Sequence, residues 1–92
     1  MVIANNKRHD PEIANMIAEQ VMREFDRATL LHATQASMHE GYAILLEELD
    51  EAWYEVKHGE PSKALDEMIQ VAAMAVRFIH DHVLRTGGGS DN

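Results

Sequence analysis

The chain has 92 residues (10.4 kDa), too few for two independent cores. It contains no cysteine, which excludes disulfide frameworks, thiolate zinc sites and cysteine nucleophiles. Eight Lys and Arg against sixteen Asp and Glu give a formal charge of −8, the wrong sign for a general nucleic-acid-backbone binder but not for one that takes a small anionic ligand. A folded monomer of this mass buries roughly 65% of its surface, a core small enough that self-association is expected.

No apolar run approaches the length of a membrane span and the first residues lack the pattern of a secretory leader, so a soluble cytoplasmic protein with no membrane partner is expected. Residues 1–9 read as a short N-terminal segment, 10–86 as one helical domain and 87–92 as a flexible Gly-rich tail.

Asp10-Pro11-Glu12 combines an N-cap, a proline at the first helical position and an acid in the first turn, so the first helix is expected from about residue 11 to about 31. Ile13, Ile17, Val21 and Phe25 give it one apolar stripe. Ser37-Met38-His39-Glu40 fits a capping box that opens the second helix. Met38, Tyr42, Leu45, Leu49, Ala52 and Val56 mark its inner face, and Gly59 ends it.

Pro61 opens the third helix, with Leu65, Met68, Ile69, Ala72, Val76, Ile79 and Val83 as the expected inner face. A second strip, Val71, Met74, Ala75 and Phe78, is left for a partner. No segment alternates as a strand does. The fold class is therefore all-α: three helices per chain that complete a four-helix-type bundle by homodimerisation or higher self-association.

The charge is concentrated. Nine acids and two bases between residues 40 and 67 leave a balance of −7, nearly the whole excess. Glu48, Glu51 and Glu55 lie within about 60° of one another on the second helix, whereas Glu47 is displaced. Like charges at these spacings repel by a few tenths of a kcal/mol per pair, roughly, and a divalent cation reverses the sign. Mg²⁺ suits carboxylate oxygens and commonly bridges them to substrate phosphates. The turn at Gly59-Glu60-Pro61 brings Asp66, Glu67 and Gln70 near the end of the second helix. The competing reading is an ordinary solvated acidic face.

The string HEGYAILLEELDEAWYEVK, followed after a turn by DEMIQVAAMAVRFI, resembles the MazG-like all-α nucleoside triphosphate pyrophosphohydrolases, especially their small single-domain members. The resemblance spans residues 37–83 and does not extend to the first helix. It implies an EExxE motif on one helix and ExxD on the next, holding Mg²⁺ (or Mn²⁺) for hydrolysis of a (d)NTP to (d)NMP and pyrophosphate. Glu47, Glu48 and Glu51 match the first motif in full. The second departs: with Glu67 as its Glu, the Asp position falls on Gln70, and with Asp66 as its Asp, Lys63 stands where the Glu belongs.

On this resemblance Glu48, Glu51 and Glu67 are the expected metal ligands, and Glu47 is the expected catalytic residue, either helping to bind a second ion or acting as the base on the attacking water. Asp66, Gln70 and Glu55 are further metal or supporting residues. Lys63 and Arg77 are the candidates for phosphate. A catalytically silent helical dimer that binds a nucleotide or a protein partner is the alternative. Trp53 and Tyr54 read as core or interface rather than base readers. The Glu55-x-x-His58 spacing and His80/His82 read as chance rather than as a diiron site.

Overall fold

A computed structural model describes residues 8–87, so most of the expected N-terminal segment and tail lies outside the described residues. Within them the chain is all-helical: α1 (Pro11–Leu31), α2 (Met38–Lys57) and α3 (Pro61–Arg85), with no strand. None of these helices is long and apolar enough to cross a membrane.

The helix starts follow from local chemistry. Asp10 Oδ1 accepts from the N–H groups of Glu12 and Ile13 at 3.0 and 3.1 Å, which satisfies two amides that the helix itself leaves unpaired. Ser37 Oγ accepts from the Glu40 N–H at 3.0 Å. The reciprocal half of the expected capping box is shifted by one residue, because Glu40 Oε1 accepts from Ala36 N–H rather than from Ser37. At the α2–α3 turn Gly59 has φ 77°, a left-handed conformation that costs a non-glycine residue about 1–2 kcal/mol.

The α3 helix is central. It packs against both other helices, while no Cα of α1 comes within 8 Å of one in α2. Its core contacts are Val21 and Ala28 of α1 with Ala73 and Met74, flanked by Ile44, Leu45, Ile69, Ala72 and Val76. Ala52 and Ala73 are completely buried, as small residues are where helices approach closely.

The inner faces are the expected ones only in part: Leu45 and Ala52 on α2 and Ile69, Ala72 and Val76 on α3 are buried or half-buried, and Met74, expected on the strip left for a partner, is in the chain's own core. On α2, Leu49 and Val56 are exposed, and the buried or half-buried line is Gly41, Leu45, Glu48, Ala52 and Glu55. On α3, Leu65 (69% exposed) and Ile79 (62%) face outward with Met68 and Val83, while Glu67, Gln70, Met74, Arg77 and Asp81 run along the inside. That inner line has the three-and-four spacing of a helix-packing seam, but most of its members are polar. Charged side chains thus occupy positions that periodicity alone assigns to apolar ones.

The result is an open arrangement. The radius of gyration is 16.1 Å, against about 12 Å for a compact chain of this length. The first turns of α1 leave Ile13, Met16 and Ile17 about half exposed, so only the Val21 and Phe25 part of its stripe is covered.

Candidate functional site

The antiparallel turn does what the sequence suggests for three acids. Glu48 and Glu51 of α2 and Glu67 of α3 each bring a carboxylate oxygen into a group spanning no more than 4.8 Å. Glu48 and Glu67 are half-buried and Glu51 is exposed. Burial raises the pKa of Glu48 above the usual carboxylate value, and the charges of Glu51, Glu67 and Glu47 push it further. Glu67 is raised for the same reasons: burial first, then Glu51 and Glu55, with a hydrogen bond to Glu51 and the nearby charge of Asp66. The group is crowded, anionic and built of hard oxygen donors, which is the donor set that Mg²⁺ takes.

Beside it lies a cavity of about 610 Å³ in the gap that α1 and α2 leave over α3. Glu47 and Glu48 form its α2 wall with Glu40 and Ile44. Arg27 and Ala28 come from α1, and Gln70, Met74 and Arg77 make the α3 floor. Residues 32–36, the α1–α2 loop, close one end. A volume of this size is in the range of small-molecule sites.

Side chains of α3 hold the loop down. Arg77 Nη2 donates to Ala33 O at 2.6 Å, Asp81 Oδ2 accepts from Gln35 N–H at 3.0 Å, and Arg85 Nη1 donates to Ala36 O at 2.7 Å. His82 Nε2 donates to Gln35 Oε1 at 3.1 Å. Burial alone pushes Asp81 upward, but hydrogen bonds from His80 and Gln35 and the charge of Arg77 outweigh it and leave the carboxyl below its usual value. Gln35 Nε2 and His82 Nδ1 are buried and unpaired among the described residues.

The remaining expected residues separate. Glu47 is exposed but does reach the cavity that Glu48 lines. Glu55 is half-buried and close enough to Glu67 to raise it. Asp66 lies in a second cavity of about 400 Å³, with Gln20, Arg23, Glu24 and Ile69. Gln70 lines both cavities, and its amide is the largest cause of the lowered pKa of Glu24, ahead of Arg27.

Arg77, an expected phosphate ligand, is 4% exposed and tied to Ala33 and to Asp81, whose Oδ2 lies 3.6 Å from its Nε. Lys63 is exposed and lines neither cavity. His58 bonds the Tyr54 carbonyl at 2.8 Å and stacks on its ring, so it caps its own helix and joins no acidic group.

Sequence reasoning missed Arg27 and Gln35. No local motif marks either one, since each reaches the cavity only through the way α1 and the loop fold onto α3. No family model, no curated protein and no solved structure matches this chain.

Proposed function

We propose that the protein is a Mg²⁺-dependent nucleoside triphosphate pyrophosphohydrolase, converting a (d)NTP and water to (d)NMP and pyrophosphate. One observation carries this reading: three carboxylates from two helices converge within 4.8 Å, and one of them, Glu48, also lines a cavity of about 610 Å³. The MazG-like resemblance of residues 37–83 supports it.

In this reading Glu48, Glu51 and Glu67 would hold Mg²⁺, which would supply neutralisation of phosphate charge when bound. Glu47 takes the proton of the water whose oxygen attacks the α-phosphorus. The bond from that phosphorus to the αβ-bridging oxygen then breaks, and pyrophosphate leaves. Gln70 contributes a neutral side chain where the resemblance asks for an Asp, so the site holds one negative charge fewer than the motif implies.

The half-exposed apolar residues of α2 and α3, Leu49, Val56, Leu65 and Met68 among them, are suited to a second copy, which gives the working unit as a homodimer or larger homo-oligomer in a four-helix-type bundle. Sedimentation of the full chain at micromolar concentration tests that part.

The activity is tested by incubating the pure protein with each NTP and dNTP in Mg²⁺ and following pyrophosphate. Release that Glu48→Gln abolishes is expected, and release no greater than that of the variant overturns the enzymatic reading. Calorimetry with a nonhydrolysable nucleotide separates the second reading, favoured by Gln70 at the Asp position: binding without turnover assigns the chain to nucleotide capture.

A further inference from the structure

A metal–triphosphate complex is still an anion, and it would have to enter an acidic cleft of a chain whose formal charge is −8. One divalent ion does not remove that barrier, so a fixed cation facing the cavity is needed. The bases nearest the site are mostly committed. Arg77 and Arg85 hold loop carbonyls at 2.6 and 2.7 Å, Lys57 lies over the Trp53 ring, Lys63 lines neither cavity, and Arg23 lines the other one with Glu24 and Asp66.

Arg27 is different. It lines the same cavity as Glu47 and Glu48, from the α1 side, and its side chain is 59% exposed. Its Nε and Nη2 both donate to one oxygen of Glu24, at 3.1 and 2.9 Å. That edge of the guanidinium is the one that grips a phosphate through two parallel N–H groups. The pair lies one helical turn apart, exposed at Arg27 and half-buried at Glu24 (28% exposed), where the Gln70 amide also bonds the carboxylate, so Glu24 keeps a partner when the guanidinium leaves. Glu24 therefore acts as a resting counter-ion that keeps the guanidinium at the cavity.

We infer that Arg27 is the phosphate-binding side chain of this cavity, releasing Glu24 to take non-bridging oxygens of a nucleoside triphosphate; this rests on the nucleotide reading above. The first helix, outside the stretch that resembles a known family, thereby supplies a cation that is not committed to the α1–α2 loop as Arg77 of α3 is.

The test is calorimetric titration of the full chain with an α,β-methylene nucleoside triphosphate in Mg²⁺, for the wild type and for Arg27→Gln, Arg27→Lys, Glu24→Gln and Arg23→Gln. Loss of a charge-assisted hydrogen bond predicts about tenfold or greater weakening in Arg27→Gln, with partial recovery in Arg27→Lys. Glu24→Gln is expected to bind a few times more tightly, roughly, because its counter-ion no longer competes. Arg23→Gln removes the same charge from the same helix but outside this cavity, and should change affinity by less than about twofold.

Equal weakening in Arg23→Gln and Arg27→Gln, or none in Arg27→Gln, overturns the assignment while leaving the nucleotide reading standing. Wild-type binding that depends on Arg27 but yields no pyrophosphate from natural triphosphates supports the assignment and defeats hydrolysis alone. No wild-type binding overturns both.

Discussion

The backbone N–H of Gln35 donates to Asp81 Oδ2 at 3.0 Å across 46 residues of sequence. This bond joins the α1–α2 loop to the last turns of α3, and Asp81 is also the partner of the buried Arg77. One carboxylate therefore satisfies a loop amide and a guanidinium that would otherwise be buried without a counter-charge.

Removing that carboxylate should be expensive. Asp81→Ala leaves Arg77 buried and uncompensated, a change that costs about 3–5 kcal/mol. Asp81→Asn keeps an acceptor for Gln35 and should lose less. Urea denaturation checks the order. Because the pKa of Asp81 is lowered in the folded chain, its contribution is present above the unfolded-state value and disappears as pH falls through the lowered one. The stability gap between wild type and Asp81→Asn should therefore narrow in acid.

Gln35 and His82 form a second, less complete pair, each with one buried atom unpaired among the described residues. Replacing only one of them strands the other, at about 1–3 kcal/mol. The double change Gln35→Leu with His82→Phe removes both and should be far less damaging than the sum of the singles. A double-mutant cycle in urea measures the difference, and simple additivity would contradict this account.

Two glycines separate crowding from backbone strain. A Cβ at Gly41 would overlap Gln35 Oε1 and the Phe78 ring, whereas one at Gly59 meets nothing within 4 Å. Alanine in a helix interior normally gains about 1 kcal/mol over glycine. At Gly41 overpacking, typically about 1–3 kcal/mol, should cancel or exceed that gain and disturb the loop. At Gly59 the loss comes from the positive φ alone, so Gly59→Asn, which tolerates that conformation better, should recover part of what Gly59→Ala loses. Thermal melts of the three variants decide.

The helix boundaries were legible because their signals are local: Asp10 before Pro11, Ser37 with Glu40, Gly59 before Pro61. Each sits within one turn of the end it marks. The inner faces were legible only in part, at Leu45, Ala52, Ile69, Ala72 and Val76. Apolar periodicity chooses Leu65 and Ile79 on α3, but the chain buries Arg77, Asp81 and His82 because they satisfy one another and the backbone of residues 33–36. A polar residue with its partners in place loses its claim on water, and those partners lie 44 to 47 residues away. The acidic group was readable for the opposite reason, since a three-residue turn brings the end of one helix beside the start of the next. Arg27 has no such short link to Glu48.

Glu48 provides the sharpest check on the acidic group, because its ionised form is disfavoured by burial and by Glu51, Glu67 and Glu47 together. A raised folded-state pKa means the folded chain keeps this proton to higher pH than the unfolded one. Its contribution to stability is therefore fully present below the unfolded value and is lost as pH rises through the folded value. In chelator at neutral pH, Glu48→Gln should be the more stable protein. Relieving three like-charge pairs of about 0.2–0.5 kcal/mol each converts to a rise of roughly 2–12 °C in a chain this small. Added Mn²⁺ should reverse the order: saturating ion at a hundred times its dissociation constant stabilises the wild type by about 2.7 kcal/mol and the variant by much less. A solvated acidic face shares the repulsion but predicts no such reversal by Mn²⁺. If Glu48→Gln melts lower than wild type in chelator, or if both respond equally to Mn²⁺, the carboxylates are not held in repulsion for an ion, and the metal-dependent reading loses its physical basis.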